Sequence, residues 1–115
     1  MDLKLLKCDW GMEYLGDMKA RLHKYAEAGY NGLECANIGM DPSEFGDITG
    51  ELGLDYVAMM FCDDEQAFRD QLENVKKTNP ILINCHPGRD YFEFERGLEF
   101  YRNVMEMAQE VDCQV

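Results

Sequence analysis

Ile81-Leu82-Ile83-Asn84-Cys85-His86-Pro87-Gly88-Arg89-Asp90 is an apolar run that ends in a cluster of polar side chains. Pro80 precedes it and Pro87-Gly88 interrupts it, which predicts a short buried strand feeding a tight loop. The polar residues Asn84, His86, Arg89 and Asp90 fall together at its C-terminal end. In open α/β sheets and in α/β barrels, ligands bind at the carboxyl ends of parallel strands. If this strand is parallel and central, His86 stands where chemistry would be done.

The segments around it repeat one strand–loop–helix unit. After the loop, Phe94, Leu98, Tyr101, Met105 and Ala108 recur at offsets of four and three, predicting a helix with that stripe in the core. Asp90 and Glu93 have the spacing of a capping box at its start. Upstream, Leu54–Cys62 is the most apolar run, as expected of a strand covered on both faces. Asp63-Asp64 then caps a helix with Phe68, Leu72 and Val75 inward. Asn31–Ala36 is another strand, with Glu34 on the opposite face from Leu33 and Cys35. Asp41-Pro42 opens a short helix carrying Phe45, Ile48 and Leu52, and Gly53 stops it. Lys4–Asp9 is the first strand candidate, turned by Trp10-Gly11. The helix after it carries Leu15, Met18, Leu22, Tyr25 and Ala26 inward, with Lys19, Arg21 and Lys24 facing out. Val111–Val115 reads as the start of a fifth strand.

Strand starts near residues 4, 31, 54, 81 and 111 give a step of roughly 30 residues, one βα unit of a (β/α)8 barrel. Such alternation implies parallel strands joined by right-handed crossovers. The expected fold class is therefore α/β: about four parallel βα units, half of a TIM barrel, within one partial domain over 1–115. A flavodoxin-like domain is the alternative that the length also allows.

Composition narrows the function. Apolar residues make up 46 % of 115, enough for a core. No run approaches the ~18 apolar residues of a membrane span, and no signal peptide is legible, so a cytoplasmic protein without membrane contact is expected. The net charge of −12 repels phosphate backbones, which disfavours nucleic acid as a partner. Five cysteines, odd in number and without CxxC spacing, read as buried thiols in a reducing compartment.

Several stretches resemble the N-terminal half of the xylose isomerase-like TIM barrels, the sugar phosphate isomerase/epimerase superfamily. They are Lys7-Cys8-Asp9-Trp10, Ala28-Gly29-Tyr30-Asn31-Gly32-Leu33-Glu34, Leu52-Gly53-Leu54-Asp55 and Asn84-Cys85-His86-Pro87-Gly88-Arg89-Asp90. The resemblance implies isomerisation or epimerisation of a small sugar or polyol by proton transfer next to a carbonyl. It also implies a divalent metal (Mn, Mg, Co or Zn) in the complete barrel, with its main ligands on strands beyond residue 115. In the apurinic endonuclease branch of that superfamily, a His-Pro-Gly histidine binds zinc, and His86-Pro87-Gly88 looks like it. Met60-Phe61-Cys62-Asp63 stands where that branch has its partner histidine.

Each candidate residue carries two readings. His86 is a metal ligand or acid/base, or else shapes its loop by a hydrogen bond. Glu34 is a general base, or is bonded to a neighbouring loop. Asp9 and Trp10 line a sugar site, or plug the rim. Arg89 binds an anionic group of the substrate, or pairs with Asp90 or Glu93; Asp90 binds substrate or caps a helix. His23 lies on the surface. Open edges on a half-barrel predict association, most simply as a homo-oligomer. A non-catalytic half-barrel that oligomerises or binds a ligand is the alternative to an enzyme.

Overall fold

Four strands alternate with four helices in the computed structural model, which describes residues Met1–Val115. The elements are β1 (Leu6–Cys8), α1 (Met18–Glu27), β2 (Gly32–Cys35), α2 (Pro42–Leu52), β3 (Asp55–Cys62), α3 (Glu65–Lys77), β4 (Leu82–Pro87) and α4 (Phe94–Glu110). One 3-10 turn, Glu13–Leu15, precedes α1. The sheet order is β1-β2-β3-β4 and every neighbouring pair is parallel. The helices also pack in sequence, α1 on α2, α2 on α3 and α3 on α4, so they share one face of the sheet. This α/β arrangement is that of half a β/α barrel or a similar fold. A flavodoxin-like sheet has the order 2-1-3-4-5 with helices on both faces; the observed order has no such reversal.

Local chemistry sets the boundaries. Asp41 caps α2 by accepting from the N–H groups of Ser43 and Glu44, with Pro42 at the first helical position. Asp64 caps α3 through the Ala67 N–H. Gly53 ends α2 at φ +66°, a left-handed conformation that suits glycine. Gly32 has a different reason. A Cβ there would sit 2.2 Å from the backbone oxygen of Asp55, so β2 and β3 approach only because no side chain intervenes.

The core lies between sheet and helices. Leu33, Tyr56, Ala58, Met60, Cys62 and Ile83 point from the strands toward Leu22, Phe45, Phe68 and Phe100 of the helices. In α4 the buried stripe is Phe100, Val104 and Ala108. The expected stripe is displaced: Ala108 is buried, but Phe94 is 78 % exposed, and Tyr101 and Met105 are partly exposed. Both sides of α4 are apolar, and the position of α3 selects which one is buried. Asp90 is not the cap of α4. The helix begins at Phe94 after Glu93, whose side chain makes no capping bond. Residues 111–115 turn back after α4, with Cys113 N–H on the Ala108 carbonyl, rather than forming a strand. Gln114 nonetheless touches the free edge of β4, accepting from Ile83 N–H at 2.7 Å.

A bidentate ion pair ties α4 to α3. Arg96 donates to both Glu65 oxygens at 2.7 and 2.8 Å, and Asn103 adds a bond at 3.1 Å. The Arg96 guanidinium holds the Glu65 carboxyl down at about 2, from an ordinary 4.5. A carboxyl whose pKa is lower folded than unfolded stabilises the fold above its unfolded pKa, and this is lost as pH falls through the folded value. Melting temperature should therefore fall between pH 4.5 and about 2, and Glu65→Gln should flatten that part of the curve. A variant curve parallel to wild type across this window would rule out the linkage.

Candidate functional site at the carboxyl ends of the strands

Strand alternation divides the sheet into a helix-covered face and a concave face. In register, Cys8, Glu34, Val57 and Leu82 form one row of the concave face. Met59 stands opposite Asn84, and Phe61 opposite His86, in the rows above. Glu34 and Asn84 meet across β3: Asn84 Nδ2 donates to Glu34 Oε1 at 2.7 Å. Glu34 Oε2 accepts no hydrogen bond from the protein, so one carboxylate oxygen remains for a ligand.

A cleft of about 250 Å³ opens beside this pair, lined among others by Cys8, Trp10, Glu34, Asn37 and Met59. Trp10 is 76 % exposed at its rim. The structure thus brings Trp10 and Glu34 together, as expected, and adds Asn84 as the residue that orients Glu34. Asn84 is a polar side chain set between the apolar Ile83 and Cys85 of its strand. The sequence marks it as unusual but does not reveal that its partner lies two strands away.

His86 occupies the top row of the concave face and is exposed. Its ring stacks on Phe61 with centroids 4.8 Å apart and an interplanar angle of 22°. It does not line the Trp10–Glu34 cleft. Arg89 pairs with Asp63 in the loop after β3, rather than with Asp90 or Glu93. Asp90 is exposed beside Arg89 in the loop after β4.

Asp9 also lines the Trp10–Glu34 cleft, but its carboxylate is engaged by α1 rather than left open to a ligand. It follows β1 on the helix-covered side and is 5 % exposed. Its Oδ2 accepts from Arg21 Nη1 at 2.7 Å and its Oδ1 from the Tyr25 hydroxyl. Both oxygens are engaged by α1, so Asp9 anchors the helix beneath the cleft. Arg21, expected to face out, is 8 % exposed for the same reason. Sequence periodicity did not separate it from Lys19 and Lys24, because an arginine is drawn inward only by a buried acceptor. Burial, and then the bond to Asp9, raises the Tyr25 pKa, so its hydroxyl stays protonated and donates.

The five thiols are free. Burial pushes Cys35 up to about 12, which keeps it protonated and unreactive at neutral pH. Cys8, on the concave face, is the exposed one.

No protein-family model and no curated protein matches the chain.

The divalent ion implied by the resemblance can be tested against the donors present. No three His, Cys, Asp or Glu side chains gather into a group able to hold a metal. His86, the expected ligand, has an aromatic ring beside it. This chain's residues alone do not fit such an ion. No helix is long and apolar enough to cross a membrane.

Proposed function

We propose that the concave face binds a small sugar or polyol at its carboxyl-end mouth, as the ligand side of an isomerase or epimerase of the xylose isomerase-like kind. The observation that carries this reading is the Glu34–Asn84 pair below an exposed Trp10. A polyol presents hydroxyl donors and apolar C–H faces together. Glu34 Oε2 suits the donors, and the indole offers a flat apolar surface to the C–H face. Asn84 spends one amide hydrogen in fixing Glu34, which pre-organises the acceptor. His86, one row above Asn84, supplies a titratable group that can exchange a proton with a ligand reaching up the sheet. In the proposed reaction a carboxylate or imidazole takes the proton from the carbon next to a carbonyl and returns it. Glu34 and His86 are the two groups of the concave face able to do so. The divalent metal belongs to this reading only where further protein supplies its ligands. A reducing cytoplasm suits five free thiols.

Trp10 is the only tryptophan, so its fluorescence reports on this cleft alone. Titration with aldoses, ketoses, polyols and their phosphates should give a saturable change for at least one class. Glu34→Ala should weaken that binding roughly ten- to a hundredfold, the ~1.5–3 kcal/mol of a hydrogen bond to a charged group. No saturable response from any class would overturn the reading. A purely binding half-barrel and a catalytic one differ in solvent deuterium exchange at the carbon beside the carbonyl, which only the latter promotes.

A further inference from the structure

The molecule exposes more surface than its mass requires. Its accessible area is 7362 Å² for 13.3 kDa, whereas a folded monomer of that mass exposes about 6,450 Å². The excess of about 900 Å² is close to the ~800 Å² that each partner buries in a stable dimer. The radius of gyration, 15.0 Å, likewise exceeds the roughly 13.4 Å expected of 115 residues.

The excess includes apolar surface at both ends of the sheet. At the β4 end, Ile81 is 45 %, Tyr101 42 % and Met105 37 % exposed. Met105 and Ile81 line one groove, and Tyr101 lines another along β4. Arg96 and Asn103 bond to α3, so helical geometry turns Tyr101 and Met105 away from α3, toward the free edge. At the β1 end, Leu3 is 91 % and Leu5 60 % exposed. Leu5 and Ile81 each immediately precede a strand. Within one sheet Leu82 is level with Cys8 through Glu34 and Val57, so Ile81 lies level with Lys7, two residues along from Leu5.

We propose that two copies of this chain close head to tail about a twofold axis parallel to the strands. β4 of each copy pairs with β1 of the other, and the product is an eight-stranded parallel barrel. The two edges of a parallel sheet are not equivalent. Pairing β4 with β4 would be antiparallel and would leave both β1 edges open. Pairing β4 with β1 covers every edge at once, as barrels do. Leu5 N–H and C=O are both bonded to Asn31, and Asp9 N–H to the Glu34 carbonyl. By alternation, the backbone groups of Leu6 and Cys8 face the free side. The Gln114 carbonyl holds one place on the β4 edge by a single bond, and an incoming β1 replaces it. Closure turns the half-open concave face into a barrel interior. It also brings Glu34, Asn84 and His86 of both copies to one mouth. Strand direction and exposed area thus favour a second copy as the occupant, and this does not depend on which ligand the mouth takes.

The test is sedimentation equilibrium at raised ionic strength, where the repulsion between chains of charge −12 is screened. The expected result is a mass of twice 13.3 kDa. Met105→Lys and Leu5→Lys should each give a monomer with an unchanged circular dichroism spectrum. Lysine lowers the net negative charge, so loss of the dimer cannot come from added repulsion. A wild-type monomer at every concentration overturns the proposal. So does an oligomer that survives either substitution, because each contact joins one β1 edge to one β4 edge.

Discussion

Replacing Asp9 with alanine should lower the unfolding free energy by about 3–5 kcal/mol, the cost of leaving a buried charge without its partner. Arg21 is 8 % exposed, and its guanidinium has one close carboxylate, Asp9. Its Nε already lacks a partner. Without Asp9, Nη1 loses its acceptor, and the buried Tyr25 hydroxyl is left without its own. The loss is therefore larger than that of a surface ion pair, which is worth about 0–1 kcal/mol. Replacing the pair together, Asp9→Leu with Arg21→Met, should restore much of the stability, since apolar groups of similar size remove both desolvation costs. Urea unfolding of the single and double variants measures both quantities. A single-variant loss below about 1 kcal/mol would show that water or a neighbour takes over the role of Asp9.

Phe100→Ala should cost about 3–5 kcal/mol, whereas Phe94→Ala on the same helix should stay within about 0.5 kcal/mol. The two residues are both phenylalanines of α4 with similar propensities, so the difference isolates burial. Phe100 is 0 % exposed in the core and carries the Arg96 guanidinium over its ring at 5.3 Å. Phe94 is 78 % exposed. Truncating Phe100 removes transfer free energy and leaves a cavity beside Val104, while truncating Phe94 mainly removes surface already in water. Equal losses at the two positions would mean that α4 is rotated about its axis relative to the sheet.

The α4 pair also shows where sequence reading stops. Helical spacing occurs in two stripes of this helix: Phe94, Leu98, Tyr101, Met105 and Ala108, at offsets of four and three, and Phe100, Val104 and Ala108, at offsets of four. Periodicity establishes a helix but not which apolar face turns inward when both are apolar. Packing of Phe100, Val104 and Ala108 into the core makes that selection, and the Arg96–Glu65 pair lies between α4 and α3 in the same arrangement. Asp9 raises the same difficulty in a strand. Its position after Cys8 puts it on the helix-covered side, yet only the presence of Arg21 and Tyr25 makes burial tolerable. That Trp10 and Glu34 line one cleft was legible because both stand at strand ends, where parallel α/β sheets place ligands. Asn84 was not identified as the partner of Glu34, because that contact spans 50 residues.

The sequence by itself determined the alternation of strand and helix, the caps at Asp41 and Asp64, the stop at Gly53 and the opposed faces of Glu34 and Leu33. These follow from interactions within a few residues, which spacing and side-chain type encode directly. Tertiary structure alone decided the strand order, the inward face of α4, the burial of Arg21 and the meeting of Glu34 with Asn84. Each of these is a choice between local arrangements of similar energy. The chain makes that choice only when distant segments compete for the same apolar surface or the same buried acceptor.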